Sequence, residues 1–144
     1  MSDEKKSPDP RRRRRSEETQ QAITYQLDHV RDEFSMDLLL LADEHGLILA
    51  YAGDEQAAET FAVFAPSLAK GDPPDRALFS TLPGLEPAKI LCETISLDEI
   101  PLYLCAVMDP TPENCRAYER VRTGIQRIYY STSELAGDSS ITDD

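Results

Sequence analysis

The sequence lacks the features that mark membrane-spanning and secreted proteins. Its longest apolar runs, residues 38–42 and 47–52, are far shorter than the roughly 20 residues that a membrane-spanning helix requires. Residues 1–15 carry charge with no apolar segment behind them, so they do not form a secretory signal. The three cysteines are an odd number without CxxC spacing, which suits reduced, mostly buried thiols. We therefore expect an intracellular, cytoplasmic protein.

Signatures of catalysis, nucleotide binding and metal binding are also missing. The 6 glycines are scattered and form neither GxxxxGK[ST] nor GxGxxG. Neither His29 nor His45 has a local Ser or Cys partner in a nucleophile setting. Adjacent residues on a turn, such as Asp43, Glu44 and His45, do not converge on one ion, and no HExxH or CxxC motif supports a metal. We expect no cofactor, no metal and no enzymatic activity; an enzyme would instead need Cys105 or His29 to face a cleft.

Charge is distributed unevenly along the chain. The net charge is -12, but the first 20 residues hold seven basic and five acidic side chains, whereas the other 124 hold eight basic and 22 acidic ones. Phosphate backbones are bound chiefly through Lys and Arg. Nucleic acid is therefore not an expected partner of the acidic body.

Composition divides the chain into three parts. Residues 1–15 and 136–144 contain too few apolar side chains to offset the entropy of ordering, which predicts a disordered basic arm and a disordered acidic tail. Residues 16–135 then form one domain of ordinary size.

The basic arm contains a run of five arginines: Arg11, Arg12, Arg13, Arg14 and Arg15. Three interpretations are open: a solubilising arm, a docking arm for an acidic protein or an anionic membrane surface, and a nucleic-acid contact. Each Arg near an anionic membrane contributes about 1 kcal/mol, so five would give a salt-sensitive attachment.

Helical spacing predicts a first and a last helix. The first helix begins at Ser16 and carries the apolar face Ile23, Leu27, Val30 and Phe34. The last begins with Thr111 as N-cap and Pro112 at its first position, and runs to about Ser133.

The middle helix follows Asp54, which can cap it, and is rich in alanine. Pro66 lies within its apolar pattern. Because proline lacks an amide donor and clashes with the preceding turn, we expect the helix to stop or kink near Ala65.

Five strands are predicted between and after these helices. Residues 36–43 and 47–52 form a hairpin that turns at Gly46, and further strands cover residues 76–82, 89–97 and 102–108. Both faces of the first hairpin are apolar, so both need cover. The order α-β-β-α-β-β-β-α then predicts an α+β fold with three α/β/α layers, a five-stranded mainly antiparallel sheet, the terminal helices on one face and the middle helix on the other.

Two segments carry a resemblance to a known family. The hairpin LLLLAD-EHG-LILAYAGD (residues 38–54) precedes the alanine-rich helix, and LYLCAVMD (residues 102–109) precedes a helix with Arg120, Arg122, Ile125 and Ile128. This pattern resembles the roadblock family of dynein light chain-like proteins, in particular the bacterial branch that partners the Mgl-type gliding GTPase. Pro66 and the proline-rich residues 71–85, where family members have a third strand, depart from it.

The resemblance implies a homodimer whose sheets join edge to edge and whose middle helices form a platform for a Ras-like small GTPase. The matching surface here is Glu55, Ala58, Glu59 and Ala62; the alternative is that these alanines pack on the sheet. The implied function is a non-enzymatic GTPase regulator or scaffold. The alternative is a profilin-like module that senses a small molecule or signal beside the sheet.

Overall fold

The computed structural model of the chain describes the backbone of residues 10–142 and the side chains of residues 17–131. Within these residues it contains three α-helices and four strands. In chain order they are α1 (Pro10–Phe34), β1 (Leu38–Asp43), β2 (Ile48–Gly53), α2 (Glu55–Ala69), β3 (Ile90–Leu97), β4 (Ile100–Val107) and α3 (Pro112–Thr142), with two short 3₁₀ helices, Arg76–Ser80 and Pro87–Lys89, between α2 and β3.

The strands form one antiparallel sheet in the order β2-β1-β4-β3. The β1–β2 hairpin turns at Gly46 with φ +83°, as expected. The carboxylate of Asp43 supports this turn by accepting hydrogen bonds from the amides of His45 (2.8 Å) and Leu47 (2.9 Å). The β3–β4 hairpin turns through Asp98 and Glu99, both with positive φ, which is the backbone pattern of a type I′ turn.

Alternate side chains of the central strand β1 enter two different cores. Leu39 and Leu41 pack with the buried faces of α1 and α3, whereas Leu38 and Leu40 pack with α2. All four are at most 1% exposed. The predicted three-layer arrangement, with the terminal helices on one face and the middle helix on the other, is therefore confirmed.

The strand expected at residues 76–82 is wrong, so the sheet of the described residues has four strands and not five. Residues Arg76–Ser80 form a 3₁₀ helix instead. The Asp75 carboxylate accepts a hydrogen bond from the Ala77 amide at 2.9 Å and so caps this helix. A side chain that satisfies local amides competes with strand pairing. Leu78, the buried residue of this helix, packs in the α2 cluster.

We expected a stop or a kink near Ala65, and the stop is wrong, because α2 continues through Pro66 to Ala69. Pro66 lies in the last turn of α2, so few helical hydrogen bonds follow it. The last turn closes through the Lys70 amide, which lies 3.2 Å from the carbonyl oxygen of Pro66.

Both terminal helices extend beyond their expected ends. Helix α1 begins at Pro10 and not at Ser16, and α3 ends at Thr142 and not near Ser133. Proline is favoured in the first turn of a helix and arginine has high helix propensity, which accounts for the earlier start. Residues 1–9 and 143–144 of the expected arm and tail lie outside the described residues, and the division of the chain into arm, domain and tail stays a prediction.

Candidate protein-interaction surface

Helix α2 has one side turned to the sheet and one side turned to solvent. Asp54 begins it by accepting a hydrogen bond from the Ala57 amide at 2.9 Å, the usual role of an N-cap. The sheet-facing residues are all fully buried, namely Ala57, Ala58, Phe61, Ala62 and Ala65. Because alanine is small, the helix backbone lies close to the strands.

Successive turns of the outer side carry Glu55, Glu59 and Val63, which we call the α2 ridge. All three are exposed, and Val63 is 65% exposed. Their spacing of four residues places them along one line of the helix surface. The ridge therefore combines two carboxylates with one apolar side chain.

The turn of the first hairpin lies against the α2 ridge. A Cβ atom placed on Gly46 would lie 3.8 Å from the Cα atom of Val63. The next residue, Leu47, is 60% exposed. The turn thus brings a second exposed apolar side chain to the same end of the ridge.

The structure divides the four residues that were expected to bind a partner. Glu55 and Glu59 are exposed on the α2 ridge. Ala58 and Ala62 have no exposed surface in the single chain and pack with Leu38 and Leu40, so the alternative interpretation, packing on the sheet, describes these two. Val63 was not among the predicted residues, although it lies four residues after Glu59 on the exposed side of α2.

Both edges of the sheet, β2 and β3, lack a further strand partner within the described residues. Strand β3 pairs only with β4. At the opposite edge, the carbonyl oxygen of Leu49 in β2 accepts a hydrogen bond of 2.7 Å from the side-chain amide of Gln20. Unpaired edges recruit further strands, so the β3 edge is a second candidate contact surface. The strand that was expected before β3 in the chain is replaced by the 3₁₀ helix Arg76–Ser80.

The arginines of the described side chains lie mostly away from the α2 ridge. Arg120 stacks over the ring of Phe34 at 5.3 Å, and Arg122 lies 3.5 Å from a carboxylate oxygen of Glu93. Both belong to α3, which covers the opposite face of the sheet. Arg76 is exposed and begins the 3₁₀ helix that packs beside α2. The side chains of Arg11 to Arg15 lie outside the described set.

Candidate catalytic and ligand sites remain unsupported among the described residues. His29 is exposed on α1, with Nε2 3.5 Å from a carboxylate oxygen of Glu33. No described group of three His, Cys, Asp or Glu residues could hold a metal ion. Surface concavities of about 450 and 500 Å³ are each lined by residues of a single helix, α1 or α3, so neither encloses a ligand beside the sheet.

Among the helices of the described residues, none has the length and apolar character needed to cross a membrane.

No protein-family model matches the sequence, and no curated protein matches it either. Solved structures of MglB do share its fold. The Myxococcus xanthus MglB structure has 12% sequence identity and a TM-score of 0.53, covering 78% of this chain and 91% of that chain. An MglB described as having a tetrameric arrangement has 17% identity and a TM-score of 0.53, covering 79% and 92%. The gliding protein MglB from Thermus thermophilus has 19% identity and a TM-score of 0.51, covering 76% and 90%. The expected resemblance is thus confirmed at the level of the fold.

Proposed function

We propose that this chain binds a Ras-like small GTPase as a homodimer and acts on it as a non-enzymatic regulator or scaffold. The observation that carries this proposal is the α2 ridge. On a fold shared with MglB, the middle helix turns its alanines to the sheet and Val63, Glu55 and Glu59 to solvent. The roadblock resemblance implies that this same helix contributes to a GTPase platform.

The chemistry of the ridge defines the partner surface that it fits. Val63 and Leu47 offer apolar area that a partner can remove from water. Glu55 and Glu59 flank this area with negative charge. A complementary surface is therefore apolar at its centre with Lys or Arg at its rim, and opposite charge at the rim accelerates association.

Capture of candidate GTPases tests this function directly. The full chain is immobilised and incubated with Ras-like GTPases loaded with GTP or with GDP. We expect one nucleotide state to be retained in preference, because such GTPases differ between these states in their switch segments. Equal failure of both states would remove the proposal.

Homodimerisation is proposed through the β3 edge. Thr94 and Ser96 on this edge are exposed, and a second copy would supply the strand that the edge lacks. Light scattering should give twice the mass of the chain at micromolar concentration. Substituting both residues by Lys places charge on the edge, which blunts strand pairing, and should shift the mass toward that of one chain. A stable monomer of the unmodified chain would contradict the dimer.

The rate at which the GTPase hydrolyses GTP in the presence of this chain distinguishes a regulator from a scaffold. An arginine that stabilises the transition state in trans accelerates hydrolysis strongly, by about 10³-fold or more. Arg76 is the exposed arginine beside α2, so Arg76→Ala is the informative variant. Acceleration that survives this change supports ordering of the GTPase's own residues, and no acceleration in the unmodified chain supports a scaffold.

The five-arginine run is proposed as a docking arm for an acidic protein or an anionic membrane surface. Cosedimentation with vesicles that contain phosphatidylserine measures binding of the arm to an anionic membrane surface. Binding should weaken as salt rises, because screening reduces the attraction of exposed charges. Replacement of all five arginines by Gln should abolish it.

A further inference from the structure

Two thiols face each other under α2. Cys92 in β3 is paired directly with Cys105 in β4, and their Sγ atoms are 2.6 Å apart. Directly opposed residues of antiparallel strands have Cα atoms about 4.5–5.5 Å apart, which lies within the range of about 4.4–6.8 Å that a disulfide spans. Both residues are free thiols in the structure. A bond between them therefore requires no movement of one strand along the other.

The two thiols differ in their access to solvent. Cys105 is fully buried, whereas Cys92 is half-buried at the edge strand. The hydrogen bond with Cys92, followed by burial, raises the pKa of the Cys105 thiol well above its ordinary value. An oxidant from solvent therefore meets Cys92 first, and Cys105 is placed to react second.

The pair also contacts the helix that carries the proposed partner surface. The Cys92 Sγ donates a hydrogen bond to the carbonyl oxygen of Ala65 in α2 at 3.4 Å. Ile90, Tyr103 and Phe64 pack in the same cluster. The third cysteine, Cys115, is exposed on α3 and lies outside this cluster.

We propose that Cys92 and Cys105 are a redox-modification site that forms a reversible intrachain disulfide in response to peroxide. The Cys92 thiolate attacks one peroxide oxygen, the O–O bond breaks, and Cys92 becomes a sulfenic acid while hydroxide leaves and takes up a proton to form water. The Cys105 sulfur then attacks the Cys92 sulfur. The S–O bond breaks and the oxygen leaves as a second water with the Cys105 proton. Two thiols thus lose two electrons to one hydrogen peroxide molecule, and a dithiol reverses the step by exchange.

Oxidation changes one contact between α2 and the sheet. The disulfide removes the S–H donor from Cys92, so the hydrogen bond to Ala65 is lost, and it ties the edge strand β3 covalently to the central strand β4. The disulfide itself does not rest on the proposed GTPase binding, and its test uses no GTPase.

The test uses the full chain with Cys115→Ser, which removes the exposed thiol. The protein is treated with hydrogen peroxide, remaining thiols are alkylated, and the chain is cut after glutamate. Cleavage after Glu93 and Glu99 separates the fragment that ends at Glu93 and holds Cys92 from residues 100–113, which hold Cys105. We expect the two fragments to remain joined until dithiothreitol is added, and the intact mass to be lower by two hydrogen atoms. Separate alkylated fragments, or Cys92 as a sulfinic acid beside a free Cys105, would overturn the proposal.

Two single variants in the same background assign the order of events. In Cys105→Ser, Cys92 should stop at the sulfenic acid and be trapped by a 1,3-dione reagent. In Cys92→Ser, Cys105 should stay a thiol through the same peroxide treatment, because it is buried and its facing sulfur is gone. Circular dichroism checks that each variant is folded. If Cys105→Ser does not fold, the Cys92→Ser variant alone tests whether Cys92 is oxidised first. Oxidation of Cys105 in the folded Cys92→Ser chain would contradict Cys92 as the entry point.

Discussion

The two faces of the sheet are covered in different ways. Two helices, α1 and α3, cover one face with large side chains such as Leu27, Tyr118 and Ile125, whereas α2 alone covers the other, mainly with alanines. Among the described side chains, the α2 face has nine partly buried hydrophobic residues packed at its core and the α1/α3 face has five. A single helix therefore leaves more apolar residues only partly covered. This incomplete cover is expected of a face that receives a partner, and it supports the proposal that the α2 ridge binds one.

The largest expected effect comes from charge placed inside the α2 core. Ala62 has no exposed surface, so Ala62→Arg forces a long side chain and an unpaired charge into a closely packed site. We expect the chain to lose its fold, measured as lost helical circular dichroism and a broadened gel-filtration peak. A folded variant that loses only partner binding would instead place Ala62 on the docking surface.

Truncation of one large anchor on each face compares the two cores. Phe61 on the α2 face and Leu27 on the α1/α3 face are both fully buried. Phe61→Ala should lower the free energy of unfolding by about 3–5 kcal/mol and Leu27→Ala by about 2–5 kcal/mol. Urea denaturation measures both. Because Phe61 is the large side chain among alanines, a loss below about 1 kcal/mol there would show that α2 is not held by packing.

A smaller effect is the pH dependence of the stability that buried Tyr118 contributes on the α1/α3 face. The Tyr118 hydroxyl donates to the carbonyl oxygen of Leu104 at 3.2 Å. Burial, and then the negative charge of Glu93, raise the pKa of Tyr118 above its ordinary value. The unfolded tyrosine ionises near pH 10 while the folded one stays neutral, so its contribution to stability is complete below about pH 10 and is lost as the pH rises further.

Melting curves at rising pH measure this loss, with Tyr118→Phe as the matched control. The variant keeps the ring but cannot ionise, so its melting temperature should fall less between neutral and alkaline pH. Equal falls in the two proteins would contradict the assignment to Tyr118.

Hydrophobic periodicity predicts much of this architecture. The parts that it does not predict have physical reasons. The spacing of Ile23, Leu27 and Val30 suffices to predict a buried helix face, because only one side of a surface helix can leave water. The same periodicity places Ala58 inward, three residues before Phe61, and Ala62 inward, four residues after Ala58. Alanine is small enough to suit either a core or a close contact with a partner. Residue type alone therefore did not show which of these two roles Ala58 and Ala62 have.

The missing strand shows a second limit. Ala77, Leu78 and Phe79 suit a short strand as well as a 3₁₀ helix, since both bury one residue and expose its neighbour. The choice depended on the Asp75 carboxylate, which accepts a hydrogen bond from the Ala77 amide, and such local competition is not visible in a hydrophobic pattern. The Cys92–Cys105 pair depended on strand register, which the two-residue turn at Asp98 and Glu99 fixes; the predicted strands, residues 89–97 and 102–108, did not place the turn at these two residues.

The most direct test of the α2 face as the partner surface is a pair of matched surface variants. Val63 on α2 and Tyr25 on α1 are both strongly exposed, at 65% and 73%, so Val63→Arg and Tyr25→Arg should each change the free energy of unfolding by no more than about 0.5 kcal/mol. Affinity for the captured GTPase should fall at least about tenfold for Val63→Arg, a loss of about 1.4 kcal/mol, and stay unchanged for Tyr25→Arg. Unchanged binding by Val63→Arg together with lost binding by Tyr25→Arg would place the partner on the opposite side of the sheet.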